Sequence, residues 1–397
     1  MFESLDRLPR DPILGLSQAF RDELAPEKVD LGVGVYRDDT GGSPIFSAVK
    51  AAESDLLADQ KTKAYVSQAG DPVFLESMAK LIVGDELFGS HRDRLVSLTS
   101  VGGSGAIRLA AEVALAAKPD TKAWVCKPTW AHHLPLLAGA GMQVEEYGYY
   151  DDRAGTVNFD KMMADLAHAK AGDLVVLQVS CHNPTGADLS QSQWSEVVDL
   201  AARRGFVPLL DIAYQGFGDS LDEDAFAIRL AISQLPELIV ANSCAKNFGL
   251  YRERPGMLLI QGRTADEAQA AGSHVLTNAR RTYSMPGYHG PAIVGQLLSD
   301  ETLRSTWTSE LTAARTRVST LRRMFATELN NAQSRTDYSF LADQKGMFSL
   351  LGLDKSQIKR LREDHSIYML GNSRANIAGL TPDNIEYVVR SVVSVTS

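Results

Sequence analysis

Three cysteines in 397 residues, Cys126, Cys181 and Cys244, stand far apart and show neither paired nor metal-ligand spacing. That excludes a disulfide framework and a structural zinc site as organising devices, and reduced thiols are the simplest account. His132 and His133 are adjacent, and no His-Glu-x-x-His spacing occurs, so a hydrolytic zinc site has no signature either. Long apolar runs are missing: no segment approaches the roughly 18 apolar residues of a membrane span. The opening Met1-Phe2-Glu3-Ser4-Leu5-Asp6-Arg7 carries acids where a secretory signal needs an apolar stretch. A cytoplasmic protein with no membrane partner is expected. Positive charge is also in short supply, with 40 Lys plus Arg against 49 Asp plus Glu and a net charge of -9. Nucleic-acid binding needs a basic footprint, so it is excluded as the main function, and any anionic ligand must be met by arginines placed locally. Internal repeats, low-complexity tracts and disordered linkers are absent too.

What is present is length enough for about two domains and an alternation that names their class. From about residue 90 to 260, short β-branched runs alternate with amphipathic stretches, the pattern of an α/β protein whose mostly parallel central sheet is sandwiched by helices. Candidate strands are Leu95 to Val101, Lys122 to Cys126, Leu174 to Ser180, Val207 to Asp211 and Leu238 to Ala241. After about residue 300 the character changes to a long helical pattern, Thr302 to Leu329. Two short strand-like segments follow, around Met347-Phe348-Ser349 and Ala375-Asn376-Ile377. A large domain over 46–300 and a smaller α+β domain of 301–397 with an N-terminal arm, 1–45, are the expected organisation. Ligands of open α/β sheets bind at the carboxyl ends of the strands, so polar residues that follow those ends are the first place to look for chemistry.

Lys246 is the most telling of them. It lies in Ser243-Cys244-Ala245-Lys246-Asn247-Phe248, directly after the run Leu238-Ile239-Val240-Ala241 and eight residues before Arg254. Burial disfavours the charged form of a lysine, and the free amine can then condense with an aldehyde. An aldehyde cofactor that carries a phosphate, pyridoxal 5'-phosphate (PLP), needs such an amine, a carboxylate for its pyridinium nitrogen and a phosphate cradle. Asp211 closes the run Val207-Pro208-Leu209-Leu210 and could face a pyridinium, or could cap a following helix. Gly102-Gly103-Ser104-Gly105 ends one strand-like run and opens the helical pattern Ala106 to Lys118, where glycines and free N-H groups can receive a phosphate. The same stretch is compatible with an ordinary strand-to-helix turn. It also resembles a loosened nucleophile elbow, Gly102-x-Ser104-x-Ala106, in which Ser104 of a serine hydrolase would draw on His289 or His365. Gly32-x-Gly34 lacks the third glycine and the later acid of a dinucleotide site. Asn183-Pro184-Thr185-Gly186 reads locally as a turn.

In order and spacing, Asn183-Pro184-Thr185-Gly186, Asp211-x-Ala213-Tyr214, Ser243-x-x-Lys246 with Arg254, and Asn372-Ser373-Arg374-x-Asn376-x-Ala378-Gly379 resemble a fold-type I PLP-dependent aminotransferase. The group is that of the aspartate and aromatic amino acid aminotransferases. The resemblance runs from Asp11-Pro12-Ile13-Leu14-Gly15-Leu16 to the C-terminal helix. It implies that Lys246 holds PLP and, once displaced, shuttles a proton. Asp211 would pair with the ring nitrogen, with His133 behind it. Tyr214 and Asn183 would meet the phenolic oxygen, and Trp130 would stack on the ring. Gly103, Ser104, Ser243 and Arg254 would bind the phosphate, with Tyr65 reaching it from a neighbouring subunit, so a homodimer with shared sites is implied. Arg374 would clamp the α-carboxylate as a fork, and Arg280 would cross the interface to a side-chain carboxylate. Gly34 and Phe348 would line the substrate pocket.

Five positions depart from the aspartate-specific pattern: Ser104 for Thr, Ala64 for Asn, Met285 for Asn, Ala245 for Ser and His132 for Asn. Smaller or more apolar groups there enlarge the pocket and lower its fixed polarity. The expected activity is transfer of the amino group of phenylalanine, tyrosine or aspartate to 2-oxoglutarate. A dedicated aspartate aminotransferase, the hydrolase and a non-catalytic dimer that kept the fold stand as alternatives.

Overall fold

A computed structural model describes residues 1–8, 12–332 and 336–396. Pro9 and Asp11, read above as part of the N-terminal arm and motif, lie outside the described residues. The centre is a seven-stranded sheet in the spatial order Leu95–Val101, Pro255–Gln261, Leu238–Ser243, Val207–Ile212, Leu174–Gln178, Lys122–Lys127, Gln143–Gly148. Runs such as Leu238-Ile239-Val240 are apolar without alternation because helices cover both faces, and every residue of that strand is buried. Pro255–Gln261 is the exception to the parallel set, pairing antiparallel with both neighbours.

Five strands lie where the sequence pattern puts them, and two do not show in it. Gln143–Gly148 reads as polar because it is an edge strand whose Glu145 and Glu146 pair with Lys122 and Lys127 of its neighbour at 2.7 and 2.8 Å. Pro255–Gln261 begins with Pro-Gly, a turn signal that hides a buried strand. The expected strand over Leu174 to Ser180 stops at Gln178, because Cys181 takes φ 54° and turns the chain. The helix expected from Ala106 starts four residues earlier, at Gly102, so the glycines form its first turn.

The long helix spans Glu301–Asn331. Phe348–Leu350 pairs antiparallel with Arg374–Asn376, and Val29–Asp30 pairs with Ile367–Tyr368, which ties the N-terminal segment to the C-terminal region. One apolar cluster runs without a break from the sheet to the C-terminal helix Ile385–Thr396. Within it, Trp307 of the long helix stacks on Phe248 at 4.5 Å between ring centroids and donates its indole N-H to the carbonyl of Asn247 at 2.7 Å. The residues just after Lys246 are thereby pinned to the long helix.

Trp307 is fully buried, so Trp307→Ala should cost about 3–5 kcal/mol of stability. Trp307→Phe keeps most of the ring but loses the hydrogen bond, and about 1–3 kcal/mol is expected. Urea denaturation of the two variants beside the wild type checks the order; a Trp307→Phe midpoint equal to that of the wild type would show that the indole N-H contributes nothing.

Candidate active site

Four strand ends converge on one cavity with an empty volume of about 550 Å³, its open mouth included. Gly103, Ser104, Ser243 and Arg254 line one end, and Trp130, Asn183, Asp211, Tyr214 and Lys246 line the rest together with Gln178 and Ala213. Each arrives for a topological reason: Asp211 ends one strand, Asn183 follows a second, Lys246 follows a third, and Gly103 and Ser104 open the helix after a fourth.

Asp211 caps no helix. Its carboxylate accepts a hydrogen bond from His133 Nε2 at 3.0 Å, and His133 Nδ1 lies 2.6 Å from the hydroxyl of Thr129. A carboxylate can only accept, so the proton sits on Nε2 of the fully buried imidazole, which leaves Nδ1 to Thr129. The result is a rigid relay that orients Asp211 into the cavity. Trp130 meets the same imidazole edge-on at 5.3 Å.

Lys246 Nζ sits 4.9 Å from the centroid of the Tyr214 ring. Burial pulls its pKa down from 10.5 to about 8; the charge of Asp211 opposes the shift, while Arg254 and Arg374 add to it. Burial also pushes the Tyr214 phenol well above its ordinary range, so it stays a neutral hydrogen-bonding group, 3.4 Å from Asn183 Nδ2.

Arg374 is buried, and desolvation lowers its pKa. Its Nη1 donates to Asn183 Oδ1 at 3.2 Å and its Nη2 to the carbonyl of Gly32 at 2.8 Å, while the buried Nε has no partner among the described residues. The guanidinium lies 4.1 Å from the centroid of Phe348. No carboxylate pairs with it among the described residues, and a buried cation without a counter-charge is costly unless an anion arrives. Gly34 stands opposite; a Cβ there would come 3.1 Å from Phe348 Cζ, so the position is tight for any side chain.

The fit to PLP is testable on these groups. Gly102 adopts φ +61°, and a Cβ on it would come 2.6 Å from Arg254 Nη2, so the glycine leaves a cradle beside an arginine with no carboxylate partner among the described residues. Free N-H groups of the first helical turn face an anion favourably. With Lys246 and Asp211 at the other end, the donor set matches an aldehyde, a ring nitrogen and a phosphate.

Arg374 and Phe348 do not line this cavity but meet its wall at Asn183 and Tyr214, with Gly34 beside Phe348, whereas two other residues are not brought near it within the chain. Tyr65 is 88% exposed, and Arg280, on the helix Ala265–Thr282, points to the surface with its Nη1 on Ser284 Oγ at 2.6 Å. The hydrolase alternative fails for a similar reason. His289, paired with Glu53, and His365, beside Ser394, do not line the cavity that Ser104 borders. Sequence reading missed Gln178 and Thr129; Gln178 is the last residue of its strand, a position that could have singled it out.

Because the amine of Lys246 is depressed to about 8, a cofactor-free protein should take up PLP with a rate that rises through a midpoint near that pH. A lowered pKa means more free amine at neutral pH, so uptake at pH 8 should already be near half-maximal. Stopped-flow absorbance across pH checks this, and a midpoint near the ordinary 10.5 would show that the amine is not desolvated.

Comparison with known proteins agrees with this geometry. The model of the family aminotransferase class I and II matches residues 26–392. The aromatic-amino-acid aminotransferase of Paracoccus denitrificans is 44% identical over 97% of both chains, and the aspartate aminotransferase of Salmonella typhi is 40% identical over the full length of both. Among solved structures, an aromatic-amino-acid aminotransferase from Burkholderia pseudomallei, covalently bound to pyridoxal phosphate, superposes with a TM-score of 0.97 at 38% identity over the whole of both chains. Together with the cavity, these relationships establish that the chain belongs to the aminotransferase class I and II family.

Proposed function

We propose that the protein is a PLP-dependent aminotransferase that passes the amino group of an aromatic amino acid or of aspartate to 2-oxoglutarate. The observation that carries this reading is the desolvated amine of Lys246 in one cavity with the His133-held carboxylate of Asp211, with the buried guanidinium of Arg374 hydrogen-bonded to Asn183 of the cavity wall. Bound in that cavity, PLP supplies an electron sink that makes the substrate Cα-H acidic. Lys246 Nζ would take and return a proton at the substrate Cα, helped by its held position and a pKa lowered to about 8. Asp211, kept in place through His133 and Thr129, holds the proton on the ring nitrogen. Arg374 grips the α-carboxylate as a two-pronged donor, and Phe348 beneath it keeps water from the pair.

We read the assembly as a cytoplasmic homodimer with shared sites. Tyr65 and Arg280 are exposed and border no part of the chain's own cavity, which suits residues that serve the site of a second copy. Among the described residues no helix is long and apolar enough to cross a membrane. Arg280 supplies the charge for the second carboxylate of aspartate or 2-oxoglutarate. The apolar or small residues at Ala64, Ser104 and Met285 leave room for an aromatic ring instead.

Lys246→Ala should lower turnover by at least about 10²-fold, the lower end of what a positioned base contributes, with PLP still retained by the phosphate cradle. Asp211→Asn keeps the shape but removes the charge, and single-turnover half-reactions should slow by orders of magnitude. A variant at position 211 that matched the wild-type rate would reduce the carboxylate to a structural group.

Arg280→Leu should weaken aspartate selectively, by about 10-fold or more from the loss of one charge-assisted contact, while phenylalanine half-reactions change little. Single-donor half-reactions followed by absorbance measure this without interference from 2-oxoglutarate. Equal loss for both donors, or a wild type that ignores phenylalanine, would sink dual specificity and favour a dedicated aspartate enzyme.

A further inference from the structure

The turn that carries Asn183 holds an unfavourable shape. Cys181 adopts φ 54°, in the left-handed region that a residue with a Cβ avoids, and such strain persists only where the surroundings over-determine it. Two side chains do this from opposite flanks. Asp188 accepts the backbone N-H of Cys181 at 2.7 Å through one oxygen and that of His182 at 2.8 Å through the other. Gln178 takes the next residue with both ends of its amide: Oε1 accepts from Asn183 N at 2.9 Å, and Nε2 donates to the Asn183 carbonyl at 3.0 Å. Burial pushes the Asp188 carboxyl up to about 6 against the pull of the two N-H donors, which still leaves it ionised and accepting at neutral pH. Three consecutive residues are thus gripped by side-chain bonds to their backbone. Only after that grip does the Asn183 carboxamide reach Arg374 Nη1 and the Tyr214 hydroxyl, at 3.2 and 3.4 Å.

We propose that Gln178 and Asp188 are positioning residues that form a bracket around 181–183, and that they set the Asn183 carboxamide between Arg374 and Tyr214 in register for the substrate carboxylate. The proposal rests on the aminotransferase reading of the cavity. Neither residue needs to touch substrate. Without the bracket, Cys181 relaxes towards negative φ, Asn183 moves with it, and Arg374 loses the acceptor that aims one of its prongs.

The holoenzyme with succinate tests this. Succinate has two carboxylates and no amino group, so it binds without reacting, and its binding is read from the visible absorption of the bound cofactor. Asp188→Asn sets a donor against an N-H, and Gln178→Leu removes both contacts to the Asn183 peptide. Each should weaken succinate by about tenfold, in the range of a lost hydrogen bond to a charged group. In an Asn183→Ala background the same substitutions should change affinity by less than about twofold, because their effect is exerted through a side chain that is no longer there. A general structural role would instead weaken binding equally in both backgrounds and track the loss of melting temperature. Equal loss in both backgrounds, or wild-type affinity in Asp188→Asn and Gln178→Leu, overturns the bracket. If Asp188→Asn does not fold, Gln178→Leu makes the same comparison by itself. A wild-type holoenzyme that ignores succinate overturns the functional reading, and the proposal with it.

Discussion

Burying an amine, a carboxylate and a guanidinium around one cavity is the constraint on which the rest of this structure depends. Each charge loses its hydration, and the loss exceeds what any single neighbour returns unless geometry is held tightly. The chain meets the cost differently for each group. Lys246 yields its proton readily, with a pKa of about 8. Asp211 is held by a buried imidazole. Arg374 leans on Phe348 and keeps a buried Nε that has no partner among the described residues. Reactivity and affinity for carboxylates therefore have a common origin in desolvation.

Holding such groups requires a frame that does not relax, and the fold supplies it at several depths. Parallel strands buried on both faces deliver side chains at their carboxyl ends, and a helix N-terminus adds free donors at one end of the cavity. Trp307 fastens the residues after Lys246 to the long helix, so the small strands that bring Phe348 and Arg374 and the loop that carries the amine share one core. The side-chain contacts to the 181–183 backbone do the same work at shorter range, where a strained φ leaves no margin for drift.

Substrate choice falls outside that frame. The guanidinium of Arg374 stands at the wall of one chain's cavity, while Arg280 faces the surface and bonds Ser284. Of the five departing positions, Ser104 lines the cavity and Ala245 directly precedes Lys246. Relatives of both specificities stand at 40–45% identity to this chain.

Much of this was legible in the sequence, for reasons that can be stated. Apolar runs bounded by turn residues mark strands buried on both faces, which is why five of the seven strands and the polar residues after their ends could be read from pattern. The family motifs are separated by long spacers, and their order singles out residues that composition would not. The edge strand Gln143–Gly148 and the Pro-led strand Pro255–Gln261 were illegible because pairing, not periodicity, makes them strands. Asp188 was illegible too, since it grips backbone and an ordinary polar residue carries no mark of that, whereas Gln178 could be suspected only from its place at a strand end. Sequence alone determined the class of fold, the family and the types of group available for chemistry. Only the tertiary structure decided that Lys246 is desolvated, that Arg374 is buried against Asn183 and Phe348 and that His133 holds Asp211, because solvation and hydrogen-bond direction belong to the surroundings of a side chain and residues far apart in the chain provide them.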